Sequence, residues 1–286
     1  MVDIKSQDIT EDEATLYDRQ IRLWGLESQK RLRAARILLI GLQGLGAEIS
    51  KNIILAGVKS VVLMDHNNVT QDLYSSQFLV PPDNIGENIA ESSLQRAQQL
   101  NPMVEVYSNA GNVDDEPDSF FTSYDVICAT QCTLPQIVRL NQICRLNGIK
   151  FFASDVFGFF GYMFADLQLH EYSQEVKLPH KEKVSKDAQQ LTMTKKATAT
   201  FVPFQDILDV DWTSDEQAKD LKKMGNGYFI MRVLQAFREK EGHNPTRDKA
   251  ALLKSIRDSV LEKLGVDAAR VPDHSLEYVL YCIFFF

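Results

Sequence analysis

Apolar positions in the first half of the chain follow two periods that alternate along the sequence. Short apolar runs of strand length occur at RILLI, SVVLMD, VEVYS, YDVICAT and KFFASDVFG. Between them, apolar residues recur at helical spacing in AEISKNIILAGV, NIAESSLQRAQQL and PQIVRLNQICRLNG. Alternation of buried strands and amphipathic helices is typical of parallel sheets with right-handed crossovers. The pattern therefore predicts a Rossmann-like, doubly wound α/β fold with a mostly parallel sheet.

The N-terminal segment 11–24 is predicted to form one helix. It begins with a capping box, in which Glu13 follows Thr10 by three residues, and it ends before a glycine. Helical spacing places three apolar side chains on a single buried stripe, formed by Tyr17, Ile21 and Trp24. Arg19 and Arg22 lie elsewhere on the cylinder, so both are predicted to reach outward.

The character of the sequence changes after residue 164. The lysine-rich stretch from about 177 to 198 shows neither period, so we predict a mobile surface loop. Its basic residues are compatible with a nuclear import signal or with an ordinary solvated loop. Helices are predicted beyond it in EQAKDLKKM, YFIMRVLQAFREK and KAALLKSIRDSVLEKLG. Since no repeat is present, one domain over 1–286 with added C-terminal helices is the simplest organisation.

Charge and composition exclude several classes of protein. The formal net charge of -8 disfavours binding to a phosphate backbone, so nucleic acid is not expected as a main partner. No apolar run is long enough to span a bilayer, and we expect an intracellular protein with no membrane partner. The cysteines lack zinc or redox spacing, so no metal site is predicted; they are Cys128, Cys132, Cys144 and Cys282.

The glycine-rich stretch GLQGLG follows the first apolar run and precedes a helix. Gly41 and Gly46 match the first and third glycines of a dinucleotide-binding turn, whereas Gln43 stands where the second glycine approaches the phosphates. Asp65, at the end of the second predicted strand, is well placed to accept a ribose hydroxyl. The pattern alone leaves two interpretations open, an NAD-dependent oxidoreductase or a close-packed turn without a nucleotide.

A set of motifs in a fixed order gives a more specific signal. These motifs are YDRQIRLWG, GLQGLG, LMDHNNVT, SSQFL, IGENIAES, LNP and GIKFFASDVFGFFGY. Together they resemble the family of enzymes that activate ubiquitin-like proteins, and most of all the smaller, non-catalytic subunits of SUMO-activating heterodimers. The resemblance extends from about residue 11 to residue 275. It implies an adenylation-domain fold, which in active members joins ATP to the modifier's C-terminal carboxylate.

Matched motif by motif, the chain resembles the inactive half of such a heterodimer. Gln43 replaces a glycine of the nucleotide turn, Asn67 replaces an acid, and Cys132 replaces the magnesium-binding aspartate. Leu73 and Ser76 replace an asparagine and an arginine that contact phosphate, and Ile89 replaces a phosphate-binding lysine. The resemblance therefore implies that this chain binds no cofactor, that ATP and magnesium are bound in the partner subunit, and that the chain is not active alone. The resemblance assigns no catalytic cysteine to this chain.

The resemblance also implies a positive role for the N-terminal helix. In the family this helix crosses to the partner, and by residue match Arg19 contacts the ATP bound there, with Arg22 as a secondary candidate. The implied partner is the catalytic subunit of a SUMO-activating enzyme, with SUMO contacted indirectly. The implied location is the nucleus, with the cytoplasm as a second compartment.

The C-terminus departs from the family pattern. The family continues past RVPDHSLEY into a helix and a final strand that closes the sheet, whereas this sequence continues as VLYCIFFF. We therefore expect the family's C-terminal helix and closing strand to be absent. This departure keeps a third interpretation open, in which the chain is a truncated adaptor that occupies the catalytic subunit without activating it.

Overall fold

Six strands form the central sheet of the computed structural model, which describes residues 9–177 and 192–282. They are β1 Arg36–Ile40, β2 Ser60–Met64, β3 Glu105–Asn109, β4 Val126–Thr130, β5 Lys150–Phe157 and β6 Phe160–Asp166. Their order across the sheet is β3-β2-β1-β4-β5-β6. The first five strands run parallel, and β6 pairs antiparallel with β5. The predicted α/β fold with a mostly parallel sheet is confirmed.

Helices connect these strands and continue beyond them within the two described ranges. They are α1 Glu11–Leu16, α2 Asp18–Trp24, α3 Leu26–Arg33, α4 Gly44–Ala56, α5 Gln71–Ser76, α6 Ile89–Leu100, α7 Asp118–Phe121, α8 Leu134–Leu146, α9 Phe204–Leu208, α10 Ala218–Lys223, α11 Asn226–Glu241, α12 Ala250–Lys263 and α13 Asp273–Cys282. The N-terminal parts of both α6 and α8 are capped by side chains. Asn88 accepts from two backbone N–H groups of α6, and Thr133 forms a capping box with Gln136 of α8.

The inner strands of the sheet are buried on both faces, whereas the edge strands β3 and β6 expose residues on one face. Ile37 and Leu39 of β1 face a core that includes residues of α4 and α6, whereas Leu38 and Ile40 face a second core that includes residues of α8. Neighbouring residues of one strand point to opposite faces. Because both faces need apolar side chains, the strands read as continuous apolar runs rather than as alternating ones.

The C-terminal helices form a third core against the end of the sheet. Residues of α11, α12 and α13 pack around Phe157 of β5. A buried ion pair crosses the same boundary, with Arg238 Nη1 of α11 donating to Asp155 Oδ2 of β5 at 2.5 Å. Arg238 also donates from Nε and Nη2 to Asn244 Oδ1, and its guanidinium lies 4.8 Å from the Phe157 ring centroid. The added helices are thus joined to the sheet by both apolar and charged contacts.

The N-terminal segment is divided into α1 and α2 rather than forming one helix. The predicted capping box at Thr10 and Glu13 is present. Tyr17 interrupts the helix with φ -100° and ψ 15°, and its hydroxyl accepts a hydrogen bond from Asn101 Nδ2 at 2.7 Å. The prediction of one buried stripe is wrong at Trp24, which is 40% exposed. Trp24 is the last residue of α2, and its indole N–H donates to Gln29 Oε1 of α3 at 2.9 Å, so its side chain lies against α3 at the helix end and is only partly covered.

The predicted loop at 177–198 is contradicted in part, because a ribbon of two antiparallel strands occupies this region. Its strands are β7 Leu169–Lys177 and β8 Thr192–Thr200. Residues 192–198 therefore belong to a strand, whereas residues 178–191, which include most of the suggested import signal, lie outside the described residues. The sequence TMTKKATAT has threonine at alternate positions, which favours a strand. The lysines gave the segment a loop-like composition and concealed that period.

Candidate functional site

The first place to look for a ligand is the switch point between β1 and β4, where the strand order reverses direction. In open α/β sheets, ligands bind beyond the carboxyl ends of the strands at such a point. The cleft found there has a volume of only about 40 Å³, and its lining includes Gly41, Asp65, Asn67, Gln131 and Cys132. Sites for nucleotide-sized ligands typically measure about 300–1,000 Å³. In this conformation the cleft is much smaller than those sites.

The glycine turn is closely packed by the protein itself. Gly41 has φ +83°, and Thr130 Oγ1 lies within hydrogen-bonding distance of the carbonyl oxygens of Ile40 (3.0 Å) and Gly41 (2.9 Å). A Cβ atom on Gly46 would lie 1.9 Å from the Gly41 carbonyl oxygen. Gln43 is exposed at the N-cap of α4 and makes no side-chain capping bond. Close packing of strand and helix therefore explains Gly41 and Gly46 without a nucleotide.

We expect Gly46→Ala to destabilise the protein by about 3 kcal/mol, because the new methyl group overlaps backbone that cannot move independently. Chemical denaturation followed by circular dichroism measures this loss. Gly227→Ala is the matched control, since nothing lies within 4 Å of a Cβ at that helical position. We expect the control to be neutral or slightly stabilising, by less than about 1 kcal/mol. Equal losses in the two variants would contradict the close-packing explanation.

Asp65 holds the glycine turn in place. Its carboxylate is 4% exposed, and Oδ2 accepts the Leu42 backbone N–H at 2.8 Å. Its other oxygen, Oδ1, accepts both the backbone N–H and the side-chain Nδ2 of Asn67, each at 2.9 Å. Both oxygens are thus bound by donors of the protein itself. The carboxylate that the sequence suggested for a ribose hydroxyl instead connects the turn after β1 to the end of β2.

At the other positions identified from the family motifs, no charged side chain reaches the cleft. Leu73, Ile89 and Cys132 are buried in the apolar cores, at 8%, 1% and 4% exposure. Ser76 is exposed and donates its hydroxyl to the Leu73 carbonyl within its own helical turn. The structure brings Asn67 and Cys132 together at the cleft, whereas the two aliphatic residues lie in the core beside it. The set does not supply the cations that a magnesium triphosphate needs.

Gln77 has a structural role that sequence reasoning did not assign. It is 1% exposed, and its Nε2 donates to the Leu42 carbonyl at 3.1 Å and to Ser93 Oγ at 2.9 Å. Its Oε1 accepts backbone N–H groups from Leu79 and Val80. Gln77 therefore ties the glycine turn to α6 and to the segment after α5. The sequence offered one signal for this role, because Gln77 lies in SSQFL, one of the motifs that resemble the family.

Burial makes three of the four cysteines poor nucleophiles. Loss of solvent contact raises the pKa of the thiols of Cys128, Cys132 and Cys144 to about 12 in each case.

We expect these thiols to react with iodoacetamide at pH 8 about a thousandfold more slowly than free cysteine, because their thiolate fraction is that much smaller. Mass spectrometry of native and denatured samples, taken at several times, measures the difference. Native labelling of Cys132 at the denatured rate would contradict the assigned burial.

The described residues contain no group of three or more His, Cys, Asp or Glu side chains placed to hold a metal ion. No helix in that part of the chain is both long enough and apolar enough to cross a membrane.

The surface around α2 contrasts with the closed switch point. Arg19 is exposed and makes no hydrogen bond or ion pair with any residue that the structure describes. Arg22, in the next helical turn, is paired with Asp18 at 3.0 Å. Large apolar side chains surround Arg19 in sequence and are exposed by 40–78%; they are Leu16, Leu23, Trp24 and Leu26. This combination of an unpaired cation and exposed apolar side chains is typical of surfaces that another molecule covers.

Comparison with known proteins identifies relatives of the whole chain. A profile of the ThiF family matches residues 17–203. SUMO-activating enzyme subunit 1 of Homo sapiens is 45% identical over 289 residues, which cover 96% of this chain and 82% of that protein. The protein of the same name from Danio rerio is 44% identical over 290 residues, with coverage of 96% and 82%.

A more distant structural match is the Escherichia coli tRNA N6-threonylcarbamoyladenosine dehydratase solved with AMP. It is 22% identical, with a TM-score of 0.45, and the match covers 51% of this chain and 60% of that one. The family profile and the full-length similarity both bear out the resemblance drawn from the motifs. The chain therefore belongs to the ThiF family, and within it to the relatives of SUMO-activating enzyme subunit 1.

Proposed function

We propose that this chain is the non-catalytic subunit of a heterodimeric SUMO-activating enzyme, in which it supports ATP-dependent adenylation of the SUMO C-terminus by a catalytic partner subunit. The observation that carries the proposal is Arg19, an exposed guanidinium without a partner in the described structure, beside exposed apolar side chains. Similarity to SUMO-activating enzyme subunit 1 along almost the whole chain supports the same role. The contribution of this chain to SUMO itself is proposed to be indirect.

The chain is proposed to bind neither ATP nor magnesium in its own fold. The small cleft, the engaged carboxylate of Asp65 and the buried thiol of Cys132 support this part of the proposal. A lost charge-assisted hydrogen bond costs about 1.5–3 kcal/mol. The family match identifies four replaced phosphate or magnesium contacts, so the accumulated loss is large enough to abolish useful affinity. The residues present do not fit a magnesium triphosphate.

Arg19 is proposed to act in trans on the nucleotide of the partner. A guanidinium presents a rigid set of N–H donors that matches phosphate oxygens, and it remains charged at any physiological pH. Arginines supplied from a second protein stabilise negative charge on phosphates during group transfer. Because Arg22 is already paired with Asp18, Arg19 is the better placed of the two to contact a second molecule.

The proposal is tested by ATP–pyrophosphate exchange in the presence of SUMO. Three samples are compared, namely this chain alone, the catalytic subunit alone and an equimolar mixture. We expect exchange with the mixture and none with this chain alone. Exchange by this chain alone would overturn the proposal, because it would require an autonomous nucleotide site. Size-exclusion chromatography of the mixture shows independently whether a complex forms.

Two alternatives give different outcomes in the same samples. A truncated adaptor predicts complex formation without exchange by the mixture, which would replace the proposed supporting role. An NAD-dependent oxidoreductase predicts a change in NADH fluorescence on titration with this chain. We expect no such change, since both oxygens of Asp65 already accept hydrogen bonds from the protein. Saturable binding of NADH would favour the oxidoreductase.

A further inference from the structure

An apolar cavity lies among α9, α10 and the start of α11, in a region that the proposed function does not use. Its volume is about 660 Å³, within the range of sites that bind small molecules or peptide side chains. Most of its surface is contributed by Val202, Ile207, Val210, Trp212, Met224 and Tyr228. None of these residues belongs to the switch point or to the N-terminal helices. The cavity is therefore a separate candidate for ligand binding.

Two aromatic side chains, Trp212 and Tyr228, form part of the cavity wall. Trp212 is 5% exposed, and its indole Nε1 has no hydrogen-bond partner within the described ranges. Its ring centroid lies 5.5 Å from that of Tyr228, whose hydroxyl is already engaged with the Ile207 carbonyl. Buried indole N–H groups normally find an acceptor. This nitrogen is itself enclosed, so a ligand in the cavity would lie against other atoms of Trp212.

Charges at the opening of the cavity favour a cationic ligand. Asp206 is exposed at this opening and has no hydrogen-bond or ion-pair partner in the part of the chain that the structure describes. The carboxylate of Asp220 is already near a cation, the Lys223 ammonium, at 4.0 Å. The segment 201–217 contains five acidic residues and no lysine or arginine. One carboxylate at the opening is thus uncompensated, in an acidic stretch of sequence.

We propose that this cavity binds a short peptide segment of a partner protein, in which an apolar side chain lies next to a lysine or arginine. The apolar side chain occupies the cavity, and the basic side chain pairs with Asp206. These two groups correspond to the apolar lining of the cavity and to the unpaired carboxylate at its opening. The inference does not depend on the proposed role in SUMO activation.

The two tryptophans of the chain allow a direct test by NMR. With ¹⁵N-tryptophan labelling, the protein gives two indole N–H signals, and Trp24→Phe assigns them. Trp24 serves as an internal reference, since its indole N–H already donates to Gln29 Oε1 at 2.9 Å. The probes are the blocked peptides acetyl-Leu-Lys-Leu-amide, acetyl-Leu-Glu-Leu-amide and acetyl-Ser-Lys-Ser-amide, each titrated to about 10 mM, where weak millimolar binding is measurable.

We expect the Leu-Lys-Leu peptide to shift the Trp212 signal saturably and to leave the Trp24 signal unchanged. The Leu-Glu-Leu peptide is expected to bind about tenfold more weakly, because attraction to Asp206 is replaced by repulsion. The Ser-Lys-Ser peptide is expected to cause no saturable shift, because it lacks the apolar side chains. Absence of a Trp212 shift with the Leu-Lys-Leu peptide, or equal binding of the lysine and glutamate peptides, would overturn the proposal.

Two matched variants test whether the Asp206 carboxylate binds the basic side chain of the peptide. Asp206→Asn is expected to weaken binding of the Leu-Lys-Leu peptide about fivefold, as expected for loss of a partly exposed ion pair. Asp215→Asn is the control, since Asp215 is exposed in the same acidic segment but does not line the cavity. An unchanged affinity in Asp206→Asn, or an equal loss in the two variants, would contradict the assigned role of Asp206. Failure of either experiment leaves the exchange assay unaffected, because no peptide is added there.

Discussion

Replacing Arg19 by alanine is expected to lower ATP–pyrophosphate exchange by the heterodimer about 10- to 100-fold. This range follows from the loss of a charge-assisted hydrogen bond to a phosphate, which is worth about 1.5–3 kcal/mol. Because the side chain is exposed and has no partner in the described structure, its removal costs the isolated chain no internal interaction. We therefore expect the melting temperature of the isolated variant to equal that of the parent protein. The loss should appear only in the presence of the catalytic subunit.

Two controls separate contact with the nucleotide from a general effect on assembly. Arg22→Ala removes the neighbouring exposed arginine, whose pairing with Asp18 is expected to contribute little. Arg19→Lys keeps the charge but loses the planar donor geometry, so we expect partial exchange activity. The affinity of the two subunits is measured in parallel by calorimetry. A large loss of subunit affinity in Arg19→Ala that accounts for all the lost exchange would contradict the proposed contact with ATP.

Replacing Arg238 by methionine is expected to destabilise the fold by about 3–5 kcal/mol, which corresponds to a fall in melting temperature of roughly 10 °C for a chain of this size. The reason is the Asp155 carboxylate, which is 2% exposed and would lose its cationic partner. Thermal unfolding at pH 7 measures the effect. As a control, Arg22→Met removes an exposed ion pair and is expected to cost less than about 1 kcal/mol.

The dependence of this effect on pH identifies its cause. Burial raises the pKa of Asp155, and Arg238 opposes that rise. Without Arg238 the pKa in the folded state rises further above its unfolded value, so the folded variant takes up a proton more readily than the unfolded chain. The stability of Arg238→Met relative to the parent protein should therefore recover as the pH falls from 7 toward 5.

A double variant provides the second check. Adding Asp155→Asn removes the buried charge, and we expect the double variant to be more stable than Arg238→Met at pH 7. Equal stability of the single and double variants, together with a loss that does not depend on pH, would show that packing rather than charge accounts for the effect.

The order of the first five strands and of the three long helices between them was predictable because it depends on local patterns. Each central strand is buried on both faces, and such burial leaves a continuous apolar run that can be read directly. The capping box at Thr10 is likewise contained within four residues. The glycine turn was only half predictable, because its sequence permits both a nucleotide and a close-packed helix. The contact of Gly46 with the Gly41 carbonyl, which no sequence pattern shows, supports the close-packed helix, and the NADH titration tests the alternative.

Apart from β6 and the β7–β8 ribbon, the features that escaped sequence reasoning depend on residues far apart in the chain. The interruption at Tyr17 involves Asn101, 84 residues away. Asp155 and Arg238 are separated by 83 residues, and neither position has a local pattern that predicts their pairing. At the candidate site, the sequence indicated Arg19 and Arg22 equally well on physical grounds. The structure distinguishes them because only Arg22 has a described carboxylate partner.

The burial of Leu73, Ile89 and Cys132 has a consequence for how this lineage can evolve. Restoring the family's polar residue at Leu73 or Ile89 would place an amide or an ammonium inside an apolar core, at a cost of several kcal/mol, and a carboxylate at Cys132 would be largely buried. No single restoration would rebuild a nucleotide site, so each step would lower stability without a compensating gain in binding. Under the proposed function, the loss of the site is therefore hard to reverse, and the chain stays dependent on a catalytic partner.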